Sequence, residues 1–421
     1  MRFLVATIAV AGVAIATSSA QQPSGSIALV GARVIDGTGA APIANATLLV
    51  SNGRIERVGP SGSLNIPEGV TRISVDGKTI IPGLINAHGH LNNGDRSLPP
   101  YDQIIQQLRM YGRFGVTTVY ALGDDGVESV RVSQENERGR LDRARLYAAG
   151  PSTVAKTAEE ARRLIAERQA QGVRFIKTRM NGGADDMAPV VYTALIDEAH
   201  KRKLYVASHL FHLSDAKRLV DAGLDVIGHS IRDQDVDADF VAGLKRRNVG
   251  YIPTLTRDLS VFQYDSTPPY LTDPFFLRGQ SLFAPQIERV KDPALHAKTQ
   301  ASPGAQNARH GLDQALRNLK LLSDGGVPIA MGTDSGTGLG RWQGYFEHVE
   351  MELMVKAGMT PMQVLTSATG NAAKVMKLDA ALGTLQPGKR ADFVVLTADP
   401  LVDIRNTRAI ESVWIDGRRA D

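Results

Sequence analysis

The chain predicts an α/β fold: a (β/α)8 TIM barrel with a small β-sandwich domain built from both chain ends. Three observations carry that expectation. Between residues 81 and 382, short apolar runs alternate with helix-compatible stretches about eight times, the pattern of parallel βα units. Residues 26–80 and 383–421 are instead short strands and tight turns, and neither piece is long enough to bury a core alone. Finally, polar residues repeatedly close the apolar runs of the middle section, at the strand ends where barrel enzymes collect their chemistry.

Met1–Ala20 has a basic start, a short apolar core and the small residues Ser18-Ser19-Ala20. This is the pattern of a secretory signal peptide cleaved after Ala20. The apolar segment, about 14 residues, is short of the roughly 20 that a membrane span needs, so no stable membrane anchor is expected. The expected location is therefore periplasmic or secreted. Cys is absent from the 421 residues, so an exported chain has neither disulfides to form nor thiols to misoxidise. The formal charge of +4 has no concentrated basic stretch behind it, which argues against nucleic acid as a partner. A small-molecule substrate is the expected partner, and a homo-oligomer is compatible with the sequence.

In the first β-rich end, residues 27–30, 32–35 and 46–50 read as strands, and Ser51-Asn52-Gly53 signals a hairpin into residues 54–58. The far end repeats this character in residues 391–396 and 412–415. The middle opens on the apolar run Ile80–Leu91, read as one strand that ends in His88-Gly89-His90. Later strands are expected at 117–122, 145–149, 174–178, 204–209, 225–229, 250–255 and 327–334, with helices between them. One long insertion, from Thr256 to about Gly304, follows the seventh strand; its aromatic content suits a lid or substrate wall.

The chemistry-bearing residues fall at those strand ends: His88 and His90 on strand one, Lys177 on four, His209 on five, His229 on six and Asp334 on eight. In a strand, residues two apart point the same way, so His88 and His90 can converge. Neutral imidazole is the commonest protein metal ligand, and two on one face make half a site. Each of the six has an ordinary structural explanation alone; together, at matching strand ends, they point to a metal centre. His212, three residues after His209 and so off its strand face, is expected either behind the ligands or on a loop. His348, with Glu347 and Glu350, is expected on the exterior of the helix after strand eight.

With these residues in place, the sequence resembles the amidohydrolase superfamily, in particular its imidazolonepropionase-like and Xaa-Pro dipeptidase-like members. The resemblance spans Ile81-Pro-Gly-Leu-Ile-Asn-Ala-His-Gly-His90, then His209 and His229. It continues through Gly332-Thr-Asp-Ser335, Thr366-Ser-Ala-Thr-Gly-Asn-Ala-Ala373 and Gly383-Thr-Leu-Gln-Pro-Gly-Lys-Arg-Ala-Asp392. It implies that His88, His90 and Asp334 hold one divalent metal and His209 and His229 a second, with Lys177 bridging them as a carbamate. An ammonium repels cations, whereas a carbamate is an anionic two-oxygen bridge. Zinc suits this donor set best, with Mn, Co and Fe as alternatives. The implied activity is hydrolysis of an amide or peptide bond, with dipeptides or N-acyl amino acids as substrates. A metal-bridging hydroxide would attack, and Asp334 would carry the proton to the leaving nitrogen. The alternative on the same scaffold is a one-metal imidazolone hydrolase or deaminase, whose members lack the bridging lysine. Arg179, Tyr251, Arg257 and Arg341 are the candidates for contact with a substrate carboxylate.

Overall fold

In the computed structural model, which describes residues 25–420 apart from 138 and 140, both chain ends contribute strands to one sheet. The signal peptide expected over residues 1–20 lies outside the described residues. The N-terminal strands are β1 (Ile27–Val34), β2 (Ile43–Ser51), β3 (Arg54–Pro60), β4 (Thr71–Ser74) and β5 (Thr79–Pro82). The expected hairpin joins β2 to β3: Asn52 and Gly53 both take positive φ, 51° and 75°, as a two-residue turn of matching twist requires.

The run read as a single strand from Ile80 to Leu91 is in fact two strands in two sheets. β5 pairs with Phe393–Leu396, while β6 (Leu84–Gly89) pairs with β7 (Val116–Ala121). The switch is made at Gly83. Its N–H donates to Asp392 O at 2.9 Å, and the next N–H, of Leu84, donates to Gly115 O at 3.0 Å. A Cβ on residue 83 would come within 2.1 Å of the Thr117 hydroxyl, so only glycine lets the chain change partners there.

β6, β7 and β8 (Arg145–Ala148) form a parallel three-stranded sheet. β9 (Phe175–Arg179), β10 (Tyr205–His209), β11 (Val226–Ile227) and β12 (Gly250–Tyr251) form a parallel four-stranded one. Residues 328–335 run between them: Tyr251 bridges Ile329 on one side, and Gly89 bridges Ser335 on the other. Between β8 and β9, the Thr153 N–H donates to Lys177 O at 2.7 Å. A residue in, or directly after, each of these eight segments enters a single buried cluster, among them Ala87, Tyr120, Ala149, Phe175, Ala207, Val226, Ile252 and Ala330. The intervening helices cover the outer face, so the architecture is mixed α/β. No helix among the described residues is long and apolar enough to cross a membrane.

The chain closes with β13 (Phe393–Leu396), β14 (Ile410–Ile415) and β15 (Arg418–Ala420). The end strands hydrogen-bond in the order β15-β14-β13-β5-β1-β2-β3, with β4 also on β1. Their own core holds Leu29, Val34, Leu48, Ile80 and Phe393, with Phe393 stacked on its register partner Trp414 at 5.4 Å. The insertion, which begins with the helix Leu255–Phe262, packs Tyr264, Phe275, Phe276 and Phe283 against Phe114, Trp342 and Phe346. Most of it therefore backs the cleft rather than covering it; Arg257 alone reaches the cleft.

A buried ion network ties the parallel strands to the end sheet. Arg145, at the start of β8, is fully buried; it donates to Asp392 at 3.0 Å and to Asp416, and Arg390 also reaches Asp416 at 2.9 Å. Truncating the arginine would leave two carboxylates buried without their main partner, which costs more than the pair contributes when intact. Arg145→Met is expected to destabilise the protein by about 3–5 kcal/mol, read as a lower urea midpoint at unchanged slope.

Candidate metal centre

The ends of β6, β9 and β10, the turn after β11 and the 328–335 segment converge on one cleft of about 220 Å³. It is lined by His88, His90, Lys177, His209, His229 and Asp334, together with Arg179, Arg257 and Arg341. Nine of the ten residues expected at the site are thus brought together. Tyr251 is not. Its side chain is buried in the core and its hydroxyl accepts the Ile231 N–H at 3.0 Å, so the substrate contact expected of it is replaced by a structural one.

Asp334 Oδ1 is 2.8 Å from His90 Nε2 and 3.6 Å from His88 Nε2. The donor atoms of these three buried residues all lie within 4.8 Å of one another, the spacing of a metal-ligand set. His229 packs 4.6 Å from the His88 ring and 4.4 Å from the His209 ring, centroid to centroid. Lys177 Nζ lies 3.2 Å from His88 Nε2. Strand alternation explains its direction: Phe175 faces the interior cluster, so Lys177, two residues on, points the same way. Space for it is made by missing side chains, since a Cβ on Gly123 would meet Lys177 Cγ at 2.5 Å and one on Gly228 its Nζ at 3.0 Å.

The far ring nitrogens are held. His88 Nδ1 is 2.7 Å from Gly228 O; a carbonyl only accepts, so Nδ1 carries the proton and Nε2 offers its lone pair to the cleft. His229 Nδ1 pairs with Thr254 Oγ1 at 2.8 Å, and His90 Nδ1 with Asp125 Oδ2 at 3.0 Å.

Electrostatics sort the group. Burial, then the Lys177 charge, holds His88 well below its ordinary pKa and lowers His209 to about 3. Burial, then His209, does the same to His229. Burial opposes the charge on His90 too, but Asp125 and then Asp334 outweigh it and lift His90 to about 10. Burial would raise Asp334, yet the His90 hydrogen bond and the Arg341 charge keep it well below the usual carboxylate range. Burial brings Lys177 down to about 7. Three neutral imidazoles, an ionised carboxylate and an amine that readily loses its proton are the forms a divalent cation needs, whereas His90 has to give up the proton it shares with Asp334 before it can ligate.

Several supporting residues were not among the expected ones. Asp125 is one; it follows β7 in Gly123-Asp-Asp-Gly126, and the same strand-end position that marks the histidines marks it equally. Its other oxygen accepts the Leu91 N–H at 2.7 Å. The expectation for Glu347, His348 and Glu350 is overturned: all three are buried. Their helix, Tyr345–Lys356, turns that face inward because polar partners await it; His348 bonds Thr407 at 2.8 Å and Phe114 O at 2.9 Å. His212 lies outside the cleft, at the start of the helix Leu213–Asp221, 3.5 Å from Asp233.

Residues 79–420 match the Amidohydrolase family. The chain belongs to that family. It is 26% identical over 287 residues to ochratoxinase of Aspergillus niger, a match covering 65% of this chain and 51% of that protein. The chain thus spans about half the length of that relative. It is 26% identical over 393 residues to the imidazolonepropionase of Saccharopolyspora erythraea, covering 85% and 87% of the two chains. Among solved structures, a protein from Bifidobacterium longum provisionally named a prolidase superposes with a TM-score of 0.78. The two are 27% identical, and the superposition covers 94% of each chain.

In this amidohydrolase, the carboxylate on His90 Nδ1 is the kind of support that fixes ring orientation around a metal. Asp125→Ala is expected to weaken divalent-metal binding roughly 10–100-fold, measured by competition with a chromogenic chelator.

Proposed function

We propose that this chain hydrolyses the amide bond of dipeptides or N-acyl amino acids in a site for two divalent metals, zinc being the best match. The observation that carries the reading is Lys177: a buried amine aimed into the histidine cluster, 3.2 Å from His88 Nε2 and, among the described residues, with no carboxylate in hydrogen-bond contact. An unmodified ammonium would be costly there and would oppose any cation, whereas its carbamate would bridge two. His88, His90 and Asp334 would hold one metal and His209 and His229 the other, with carbamylated Lys177 between. Metals bound there would polarise the scissile carbonyl and bring the pKa of water toward neutrality.

The chain's own groups do the rest. Asp334 Oδ1 faces the two histidines, and Oδ2, with one lone pair on Arg341, would use its other to take the proton of the attacking water and pass it to the departing nitrogen. Arg341 sits 2.5 Å from Oδ2 and fixes the plane of that carboxylate. Two guanidiniums, of Arg232 and Arg257, share the single carboxylate of Asp258, so the wall beside Phe211 carries one positive charge in excess. That excess suits a substrate with a free carboxylate, with Arg257 on the cleft side as its first contact and Arg179 and Arg341 nearby.

The same reading takes β6–β12 and residues 328–335 as a closed (β/α)8 barrel over residues 81–382. Residues 26–80 and 383–421 then make a separate β-sandwich domain, and the mature chain acts in the periplasm or outside the cell after losing Met1–Ala20. The length of the match to imidazolonepropionase favours a second reading, a one-metal imidazolone hydrolase or deaminase.

Metal analysis alongside a panel of dipeptides, N-acyl amino acids and imidazolones separates the two. Two metals per chain are expected, and Lys177→Ala should lose about 100-fold or more in activity, with partial return on adding bicarbonate or a small carboxylic acid. Lys177→Arg should fail equally, because guanidinium forms no carbamate under these conditions. Full activity at one metal per chain, or a Lys177→Ala protein near wild type, would overturn the proposal in favour of the one-metal chemistry.

A further inference from the structure

Glu347 and Glu350 lie one helical turn apart on the buried face of Tyr345–Lys356, and neither lines the cleft. Each bonds the segments that carry it, Glu347 through side chains and Glu350 chiefly through main-chain N–H groups. Glu347 Oε1 lies within hydrogen-bond reach of three donors: Asn86 Nδ2 at 2.5 Å, Ser335 Oγ at 2.8 Å and Thr333 Oγ1 at 3.0 Å. Asn86 belongs to β6, and its own Oδ1 accepts the His88 N–H at 2.9 Å. Thr333 and Ser335 flank Asp334 directly. Between them, Asp334 takes a left-handed backbone, φ 58°, and its N–H donates to His88 O at 2.7 Å. Aspartate tolerates that region but does not prefer it, so the conformation depends on its neighbours. Glu350 extends the grip one strand further, accepting the Leu255 and Thr256 N–H groups at 2.8 and 2.7 Å.

We propose that Glu347 is a positioning residue for the His88–His90–Asp334 donor set: one carboxylate oxygen gathers β6 and residues 333–335 and so sets the spacing on which metal affinity depends. The three donors come from two separate segments; Asn86 also bonds Thr333 directly at 2.8 Å and Tyr111 spans His90 O and Ser335 Oγ, but Glu347 Oε1 is the acceptor on which Asn86, Thr333 and Ser335 all converge. The remaining oxygen of Glu347 is buried without a partner among the described residues, so the side chain is tied to its surroundings through Oε1. This inference rests on the reading of His88, His90 and Asp334 as metal ligands, and the test is arranged to keep the two apart.

Metal-stripped wild type, His90→Ala, Glu347→Ala and Glu347→Gln are each titrated with Zn2+ against a chromogenic chelator. Thermal midpoints are recorded on the same preparations, and kcat and KM on the metal-loaded ones. His90→Ala should abolish binding at this site; if it does not, the ligand reading falls and this inference falls with it. With that control in place, Glu347→Ala should weaken binding by roughly 10–100-fold and lower kcat with little change in KM. Glu347→Gln keeps an acceptor oxygen at the same place and should recover most of the affinity. A merely structural role would lower the thermal midpoint without moving the affinity of the folded protein. Zn2+ affinity within about twofold of wild type in folded Glu347→Ala would overturn the proposal, as would a Gln variant as weak as the Ala one. Should Glu347→Ala fail to fold, Thr333→Val and Ser335→Ala remove the same bonds from the other side. Each should weaken Zn2+ binding, and unchanged affinity in both would overturn the proposal equally.

Discussion

Four imidazoles, a lysine amine and three guanidiniums line the cleft against two carboxylates, those of Asp334 and Asp124, and most of the site follows from that imbalance. Burial first, then the Lys177 charge on His88 and His209 and the neighbouring His209 on His229, holds these three imidazoles neutral. His90 escapes because it alone has a carboxylate at each ring nitrogen, Asp125 on one side and Asp334 on the other. The arrangement is rich in lone pairs and poor in negative charge. A cation brought there meets donors that need little rearrangement, which is why preorganisation outweighs raw charge in the architecture of the site.

Preorganisation has to be held from behind, and the chain does this with two different materials. Beneath the donors lies the apolar cluster to which every strand segment contributes. Beside them, the cationic rim is anchored by the insertion. Trp342 Nε1 donates to Tyr270 at 3.0 Å, Tyr264 donates to Gly340 O, and the Gly340 N–H donates to Gln286 at 2.7 Å. These bonds fix the loop that carries Arg341, whose Nε reaches Ser260 at 3.0 Å. The hydrophobic contribution dominates stability, since each buried aromatic removes far more surface from water than one hydrogen bond contributes net. The hydrogen bonds decide where Arg341 points.

Much of this was legible in the sequence because strand ends concentrate chemistry. A polar residue closing an apolar run is conspicuous, and six of them at matching positions picked out the donor set before any geometry was known. Lys177 could be read as inward or outward from parity alone; Phe175 settles it by entering the interior cluster. What stayed hidden had physical causes. The β5–β6 division was masked by a continuous apolar run, and nothing local shows that Gly83 must pass Thr117. Tyr251 carries the right functional group at a plausible strand position, but which way a side chain faces in a two-residue strand depends on neighbours far away in the chain. Glu347, His348 and Glu350 read as a solvated helix face, since charged residues on helices usually are. Here that face meets strand ends rich in hydroxyls and free N–H groups, so tertiary partners reverse the ordinary rule.

The two ends of the same strands have been given opposite tasks. Arg145 opens β8 and is bonded into the end sheet through Asp392 and Asp416, with no part in the cleft. Lys177 and His209 stand at the other ends of the neighbouring strands β9 and β10, and both line the cleft. An ion network buried at the first end stiffens the framework at the cost of desolvating several charges. A donor cluster at the second end accepts strained backbone and unmatched charge for the sake of chemistry. Such a site is stable only if its deficit is offset elsewhere in the chain, and the apolar cluster beneath the strands and the aromatic packing of the insertion are where this chain supplies the offset.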